Sequence, residues 1–248
     1  MPTAPARWRN PGSGRRRSAA FACPVPGGLP AAAGAPGARY SAVMSQRPPP
    51  AFHFLLKHET RALVRTVRPE DLPYFVRGYQ DLSPESRHLR FFSQAAELTP
   101  KQLDFMTHPD HRSHEAWGAL DLRGPVPAGI GVARYVALPE RPGVAEVALT
   151  IVDAYQNHGA GTLLHACLHL SAACQGYRRF WYDVLWENRA FLKYLKSLGA
   201  KVVGQEANVV SLEMPVYAAP REVPPNDGTA MRFARLLNDV LTAPAVDA

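Results

Sequence analysis

Along this chain, stretches where apolar positions alternate or run together give way to stretches where they recur every three to four residues, and turn residues fall at the changes. Arg61–Val67 alternates enough for a first strand. Pro69 then opens a helix whose first turn holds Glu70 and Asp71, favourable there because a helix N-terminus is electropositive. Ser83-Pro84-Glu85-Ser86 is a second start signal, an N-cap serine followed by proline at the first helical position. Thr99-Pro100 repeats the device before a short helix over Lys101–Met106. Three strands are expected next, at about Glu115–Leu122, Ala128–Leu138 and Val144–Val152, with glycine and proline in the turns between them. A helix follows from about Ala160 to Cys174, stopped at Gly176. Arg179–Leu185 reads as a buried strand, Asn188–Leu198 as a helix ending at Gly199, and Lys201–Gln205 and Val209–Met214 close the sheet. Beyond Tyr217 the chain is proline-rich. Phe233, Leu236, Leu237, Val240 and Leu241 then form a helical apolar stripe, expected to dock on the parent domain.

The most informative stretch is Val144–Leu163. A run of strand formers stops at Asp153, a tight turn with two glycines follows over Gln156–Gly161, and a helical pattern begins. Strand, glycine turn, helix is an arrangement that points free backbone N–H groups at an anion, with roughly half a positive charge from the helix dipole behind them. The turn lacks the Gly-Lys-Ser/Thr of a P-loop and the three-glycine spacing of a dinucleotide fingerprint. On the turn alone, a plain strand–helix connection is an equal reading.

The wider pattern resembles a known family. Gln156, Gly159 and Gly161 stand where the GNAT N-acetyltransferases carry their acyl-CoA diphosphate loop. WENRAFLKYLKSLGA (186–200) is similar to that family's Asn-led helix ending in Leu-Gly, and VRPEDLPYFVRGYQDLSPESRHLRFFS (67–93) to its opening strand and first two helices. The runs LSPESRHLRFFS and AEVALTIVDAYQNHGAG resemble the Pat-type protein lysine acetyltransferases in particular. The resemblance covers about residues 60–216. It implies a mixed, mostly antiparallel twisted sheet flanked by helices, acetyl-CoA as co-substrate, and an amine acceptor, with protein lysine favoured. A small-molecule amine, or an acyl-CoA-binding regulatory module without turnover, are the alternatives.

Site roles follow from the same resemblance. Glu146, ten residues before Gln156, is placed as general base. Its chemistry is apt: an amine of pKa near 10.4 needs about 4.6 kcal/mol to reach its nucleophilic form at pH 7, and a carboxylate can take the proton. Without the resemblance Glu146 would be a polar residue on the solvent face of a strand. Gln156, Asn157, His158, Gly159, Ala160, Gly161 and Thr162 would hold the diphosphate, chiefly through backbone N–H groups, with His158 where relatives often carry Arg or Lys. Leu149, Ile151 and Val152, within the strand segment 149–152, would pair with the pantetheine amides, and one of these N–H groups would stabilise an oxyanion. Asn188 would cap its helix and also bond the pantetheine arm. The tyrosine that many relatives use as general acid falls on Leu195, with Tyr194 one residue earlier and about 100° around the helix.

Charge and cysteine usage narrow the setting. The formal net charge is +7 over 248 residues. Residues 1–50 carry seven arginines and no acidic residue, so the remaining 21 basic and 21 acidic residues balance, and no nucleic-acid partner is implied for the folded part. Residues 1–50 also hold ten prolines and six glycines, and read as a disordered basic segment: a solvated tail, a basic arm, a transit-like presequence, or an artefact of a true start at Met44. The domain boundaries expected are therefore 1–50, 59–216 for the acetyltransferase domain, and 217–248 for a proline-rich linker and amphipathic helix. No run of 18 apolar residues exists, so no membrane span is expected. Three cysteines, Cys23, Cys167 and Cys174, make no disulfide framework and fit a cytoplasmic, reducing compartment. His108, His111 and His114, and the i, i+4 pair His165 and His169, lack the cysteine or glutamate partners of a metal site and are read as surface histidines, with no metal expected.

Overall fold

The structure, a computed structural model, describes residues 51–92, 95 and 97–247. The expectations for residues 1–50 lie outside the described residues. Eight strands form one sheet in the order β1-β2-β3-β4-β5-β6-β8-β7, made of Phe52–Leu55, Arg61–Thr66, His114–Asp121, Ala128–Ala137, Val144–Ile151, Arg179–Leu185, Lys201–Glu206 (β7) and Val209–Pro215 (β8). Every neighbouring pair is antiparallel except β5–β6. The mixed, mostly antiparallel sheet expected from the resemblance is what the chain builds.

Helices cover both faces. A 3-10 turn over Pro69–Asp71 leads into α1 (Leu72–Gln80), followed by α2 (Pro84–Phe91) and α3 (Pro100–Thr107). The two start signals work as the sequence implies: Ser83 Oγ accepts from Ser86 N, and Thr99 with Gln102 closes a reciprocal capping box. On the other face lie α4 (Ala160–Cys174), α5 (Arg189–Ser197) and α6 (Gly228–Thr242). Asp227 caps α6 by accepting from Thr229 N and Ala230 N.

The main core lies between the sheet and α4. Trp117, Tyr135, Phe180, Tyr182, Leu163, Leu164, Leu168 and Leu170 are all essentially closed to solvent. Phe233, Leu237 and Val240 of the α6 stripe are buried in the same core, together with Tyr217 and Val223 of the segment before it. Strand β1 begins ahead of residue 59, and Ala51 bridges Val246, so the two ends of the described chain meet at one edge of the molecule.

Burial corrects the reading of the histidines. His165 and His169 are fully enclosed and His114 nearly so. The sequence of α4, AGTLLHACLHLSAAC, carries no charged residue at all, and a helix without a polar face is one covered on all sides, here by the sheet and α6. His165 bonds the phenols of Tyr194 (2.9 Å) and Tyr182 (2.7 Å), and His169 Nδ1 accepts from Tyr217 N (2.9 Å). Burial holds His165 down at about 3 and His169 well below the usual imidazole value, so both are neutral. Among the described residues no group of three or more His, Cys, Asp or Glu is placed to hold a metal ion.

Candidate active site

The sheet comes apart at its middle. β5 and β6 share the register pairs Val144–Arg179, Ala145–Phe180 and Glu146–Trp181, and no more. Beyond Glu146, β5 continues against β4 as far as Ile151–Gly131, while β6 continues against β8 as far as Leu185–Val209. Leu138 N donates to Val144 O and Val152 N to Ile130 O, both at 3.0 Å. Residues of an antiparallel strand alternate in the side to which they turn their backbone groups. Val144, Glu146, Ala148, Thr150 and Val152 thus face β4. Val147, Leu149 and Ile151 turn theirs the other way: the Val147 N–H completes the last pairing with β6, and Leu149 and Ile151 face the gap beyond it. An extended ligand with amide groups fits such an edge as an added strand. Leu149 and Ile151, expected to pair with an amide-bearing ligand, turn their backbone groups to this open edge. Val152 does not: its N–H is taken by Ile130 and its carbonyl accepts from Tyr155 N (2.8 Å), so its backbone is closed to a ligand.

At the far end of the gap stands the glycine turn. Asn157 (φ 63°) and Gly159 (φ 97°) both adopt the left-handed region, and Gly159 is the N-cap of α4 without any side-chain cap. The first bond of the helix end is Leu163 N to Gly159 O (3.1 Å), which leaves the N–H groups of Ala160, Gly161 and Thr162 without helical acceptors. A Cβ on Gly161 would stand at ordinary contact distance, 3.4 Å, from Ile151 Cγ1, so the helix start lies close against the end of β5. The ring of His158 packs on His58 (centroids 4.5 Å apart) and Tyr155 (6.2 Å).

One cluster escaped the sequence reading. The sequence marks Asp153 only as the end of a strand, yet it ties the turn to α2: it accepts from Ser83 N (3.0 Å), Ser83 Oγ (2.8 Å) and Ser86 Oγ (2.9 Å). Gln156 Nε2 joins the same cluster through Ser86 Oγ (3.2 Å) and Ile151 O (3.4 Å). These bonds hold its carboxyl below the usual range although partial burial acts the other way. No local pattern announces a partner 70 residues away in sequence.

Glu146 sits where β5 and β6 part, on the sheet face covered by α1, α2 and α3. Its carboxylate is open to solvent, but the walls around it strip part of its hydration and push its pKa above the usual carboxylate range. Asp183, across the gap on β6, adds to that shift, and Arg90 of α2 opposes it. A carboxylate raised in this way is a stronger base than a freely solvated one. Further along the same face, α1–α3 and the sheet enclose an apolar cleft of about 80 Å³, walled by Phe75, Tyr79, Leu82 and Phe91, into which Arg90 and Arg134 also turn. Arg134 is a charged residue inside an otherwise apolar strand sequence, which was the available signal for this cleft.

Asn188 caps α5, accepting from Phe191 N at 3.2 Å. Leu195 is fully buried, and Tyr194 is bonded to His165, with burial raising its phenol far above the ordinary value. Neither is presented as an acid at the gap.

The sheet thus parts at a carboxylate, and free backbone N–H groups run from one strand edge to an uncapped helix start, an open edge of the kind to which an extended ligand can add. No family model matches the chain. It is 34% identical over 168 residues to the acetyltransferase Pat of Mycolicibacterium smegmatis, covering 66% of this chain and 46% of that protein. It is 33% identical over 143 residues to the acetyltransferase PA5475 of Pseudomonas aeruginosa, covering 58% of this chain and 75% of the relative. The chain thus spans under half the length of the first relative and three quarters of the second. The crystal structure of the GNAT domain of S. lividans PAT superimposes with a TM-score of 0.60 at 26% identity, over 66% of this chain and 96% of that domain. The chain belongs to the GNAT acetyltransferases and is Pat-like within them.

Proposed function

We propose that the chain transfers an acetyl group from acetyl-CoA to the nitrogen of an amine, in a cytoplasmic setting, with protein lysine the acceptor that the Pat-like sequence favours. The observation that carries this reading is Glu146 at the point where β5 and β6 separate. Acetyl-CoA supplies the activated thioester. The outward amides of Leu149 and Ile151 pair with its pantetheine arm, Asn188 lies at the end of β6 beside that arm, and the Gln156–Thr162 turn receives the diphosphate. Glu146 takes the proton as the amine nitrogen forms its bond to the thioester carbonyl carbon. The carbon–sulfur bond breaks, and the thiolate leaves and takes a proton from solvent.

Glu146→Gln tests this. It keeps the shape and removes the basicity, so kcat should fall by about 10²- to 10⁴-fold while acetyl-CoA binding stays near normal. Near-normal kcat at neutral pH in the folded variant would remove Glu146 from the mechanism. Binding of acetyl-CoA by the natural chain with no transfer to any amine would favour a regulatory acyl-CoA-binding module.

A further inference from the structure

Two guanidinium groups in the cleft next to Glu146 lack a carboxylate of their own. Arg134 is 3% exposed. It meets only neutral acceptors, His114 Nε2 at 3.1 Å and the Met106 carbonyl at 3.3 Å, and its charge lies over the Phe75 ring at 5.7 Å. Arg90 lies over the Phe91 ring at 4.9 Å, and its Nε is enclosed without a hydrogen-bond partner. Among the described residues, neither arginine forms an ion pair. The nearby Asp71 is already used, accepting from both Nη atoms of Arg65 (2.8 and 2.6 Å) and from Arg68 N (2.9 Å). Buried charges are ordinarily paired, and an unpaired one is costly. A costly pair of cations retained beside a catalytic carboxylate calls for an anion that arrives with a ligand.

Resting on the transferase reading above, we infer that Arg90 and Arg134 form a carboxylate subsite for the acceptor: the amine to be acetylated carries a carboxylate close to its nitrogen. Register supports the spacing. Glu146 lies opposite Val136 and Arg134 opposite Ala148, so Glu146 and Arg134 are diagonal neighbours on one face, with backbones roughly 7–8 Å apart. An acceptor reaching both has its nitrogen at Glu146 and a carboxylate within about that distance in space, with its carbon chain against the apolar wall. The carboxylate has two sources, a free amino acid or an acidic residue beside a lysine. It belongs to the acceptor and not to the acyl donor, because the donor reaches Glu146 along the β5 edge within the sheet, whereas the arginines lie on the face under α1–α3. Burial and the Arg90 charge hold Arg134 at about 9, and burial holds Arg90 at about 10 against the pull of Glu146, which attracts Arg90 without forming an ion pair with it.

The experiment compares kcat/KM for acetyl transfer to glycine, β-alanine, 4-aminobutyrate and 5-aminovalerate with that for their amides, and for lysine peptides flanked by Glu with those flanked by Gln. The acid should exceed the amide by about ten- to hundred-fold in at least one pair, the scale of a charge-assisted hydrogen bond. Preference among the free amino acids identifies a small-molecule acceptor, and preference confined to the peptides identifies an acid-flanked lysine. R90Q should collapse the ratio toward one, and R90K should restore part of it. R134K, which keeps the buried charge, should alter it less than R90Q. Equal turnover of acids and amides overturns the subsite, as does a ratio unchanged in folded R90Q. A preference for succinyl-CoA over acetyl-CoA with an amide acceptor overturns its assignment to the acceptor. Calorimetry in the presence of CoA, with 4-acetamidobutyrate against 4-acetamidobutyramide, reads the subsite without turnover. A transfer-dead protein that still binds the acid tighter keeps the subsite and loses the transferase reading, and equal binding removes the subsite.

Discussion

Glu146 illustrates how one residue takes its role from what surrounds it. On an isolated strand it would be an ordinary solvated carboxylate. Desolvation by the cleft walls and the facing Asp183 raise it, and Arg90 keeps the rise in check. The lower limb of the pH dependence of kcat/KM should therefore lie above the ordinary carboxylate range, with rate rising as pH increases through it. Replacing Asp183 by Asn should move that limb to lower pH, since it removes a like charge. Arg90→Gln should move it to higher pH. A limb that stays in place in both variants would assign the titration to another group. The position of Glu146 relative to the glycine turn was legible in the sequence, because strand register and turn spacing are local. Its partners Asp183 and Arg90 were not, because they arrive from other elements by tertiary folding.

Among the elements, the tie between α2 and the glycine turn deserves a measurement of its own. Asp153 serves as a second cap for α2 from outside the helix, alongside Ser83 within it. Asp153→Ala leaves the Ser83 cap intact and removes the tether. The cost should be about 1 kcal/mol in urea unfolding, the usual scale of a lost cap. The sharper readout is local: proteolysis or amide exchange at α2 should accelerate more than at α4, and KM for acetyl-CoA should rise because Gln156 shares the tether. An effect spread evenly over the chain would argue that Asp153 merely stabilises the fold. Helix α2 itself was legible from Ser83-Pro84, and α4 from its glycine start. Strand β1 was not, because four residues after a proline run carry too little pattern, and its support comes from β2 and from Val246 at the other end of the chain.

Taken whole, the molecule is sensitive to acid in a predictable sense. His114 is held at about 4 by burial and by Arg134, His165 at about 3 by burial, and His169 lower than usual by burial and by His165. An unfolded histidine titrates near 6.5. Folded pKa values below the unfolded one mean that unfolding takes up protons at low pH. The stability these neutral rings contribute is complete above about pH 6.5 and declines as pH falls toward about 4 for His114 and about 3 for His165, by up to about 1.4 kcal/mol per pH unit for each ring. Urea unfolding at pH 7, 6, 5 and 4.5 should show the decline, and a folded His165→Phe variant should show a shallower one. Stability that is flat between pH 7 and 5 would mean the rings accept protons in the native state. The i, i+4 pair on α4 was visible as two histidines, but only the absence of any charged residue on that helix hinted at where they lie.

The short partnership between β5 and β6 also bears on isotope labelling. Central strands of a sheet ordinarily exchange their amide hydrogens slowest of all, since both edges are bonded. β5 is central in position yet bonded along only one edge for most of its length. Its labelling should therefore follow a period of two beyond the last pair with β6: Ala148, Thr150 and Val152 protected by β4, and Leu149 and Ile151 exchanging many times faster in the heart of the sheet. Adding CoA should slow the fast set while leaving the slow set unchanged. Uniform protection along β5 in the free protein would show that the gap closes in solution.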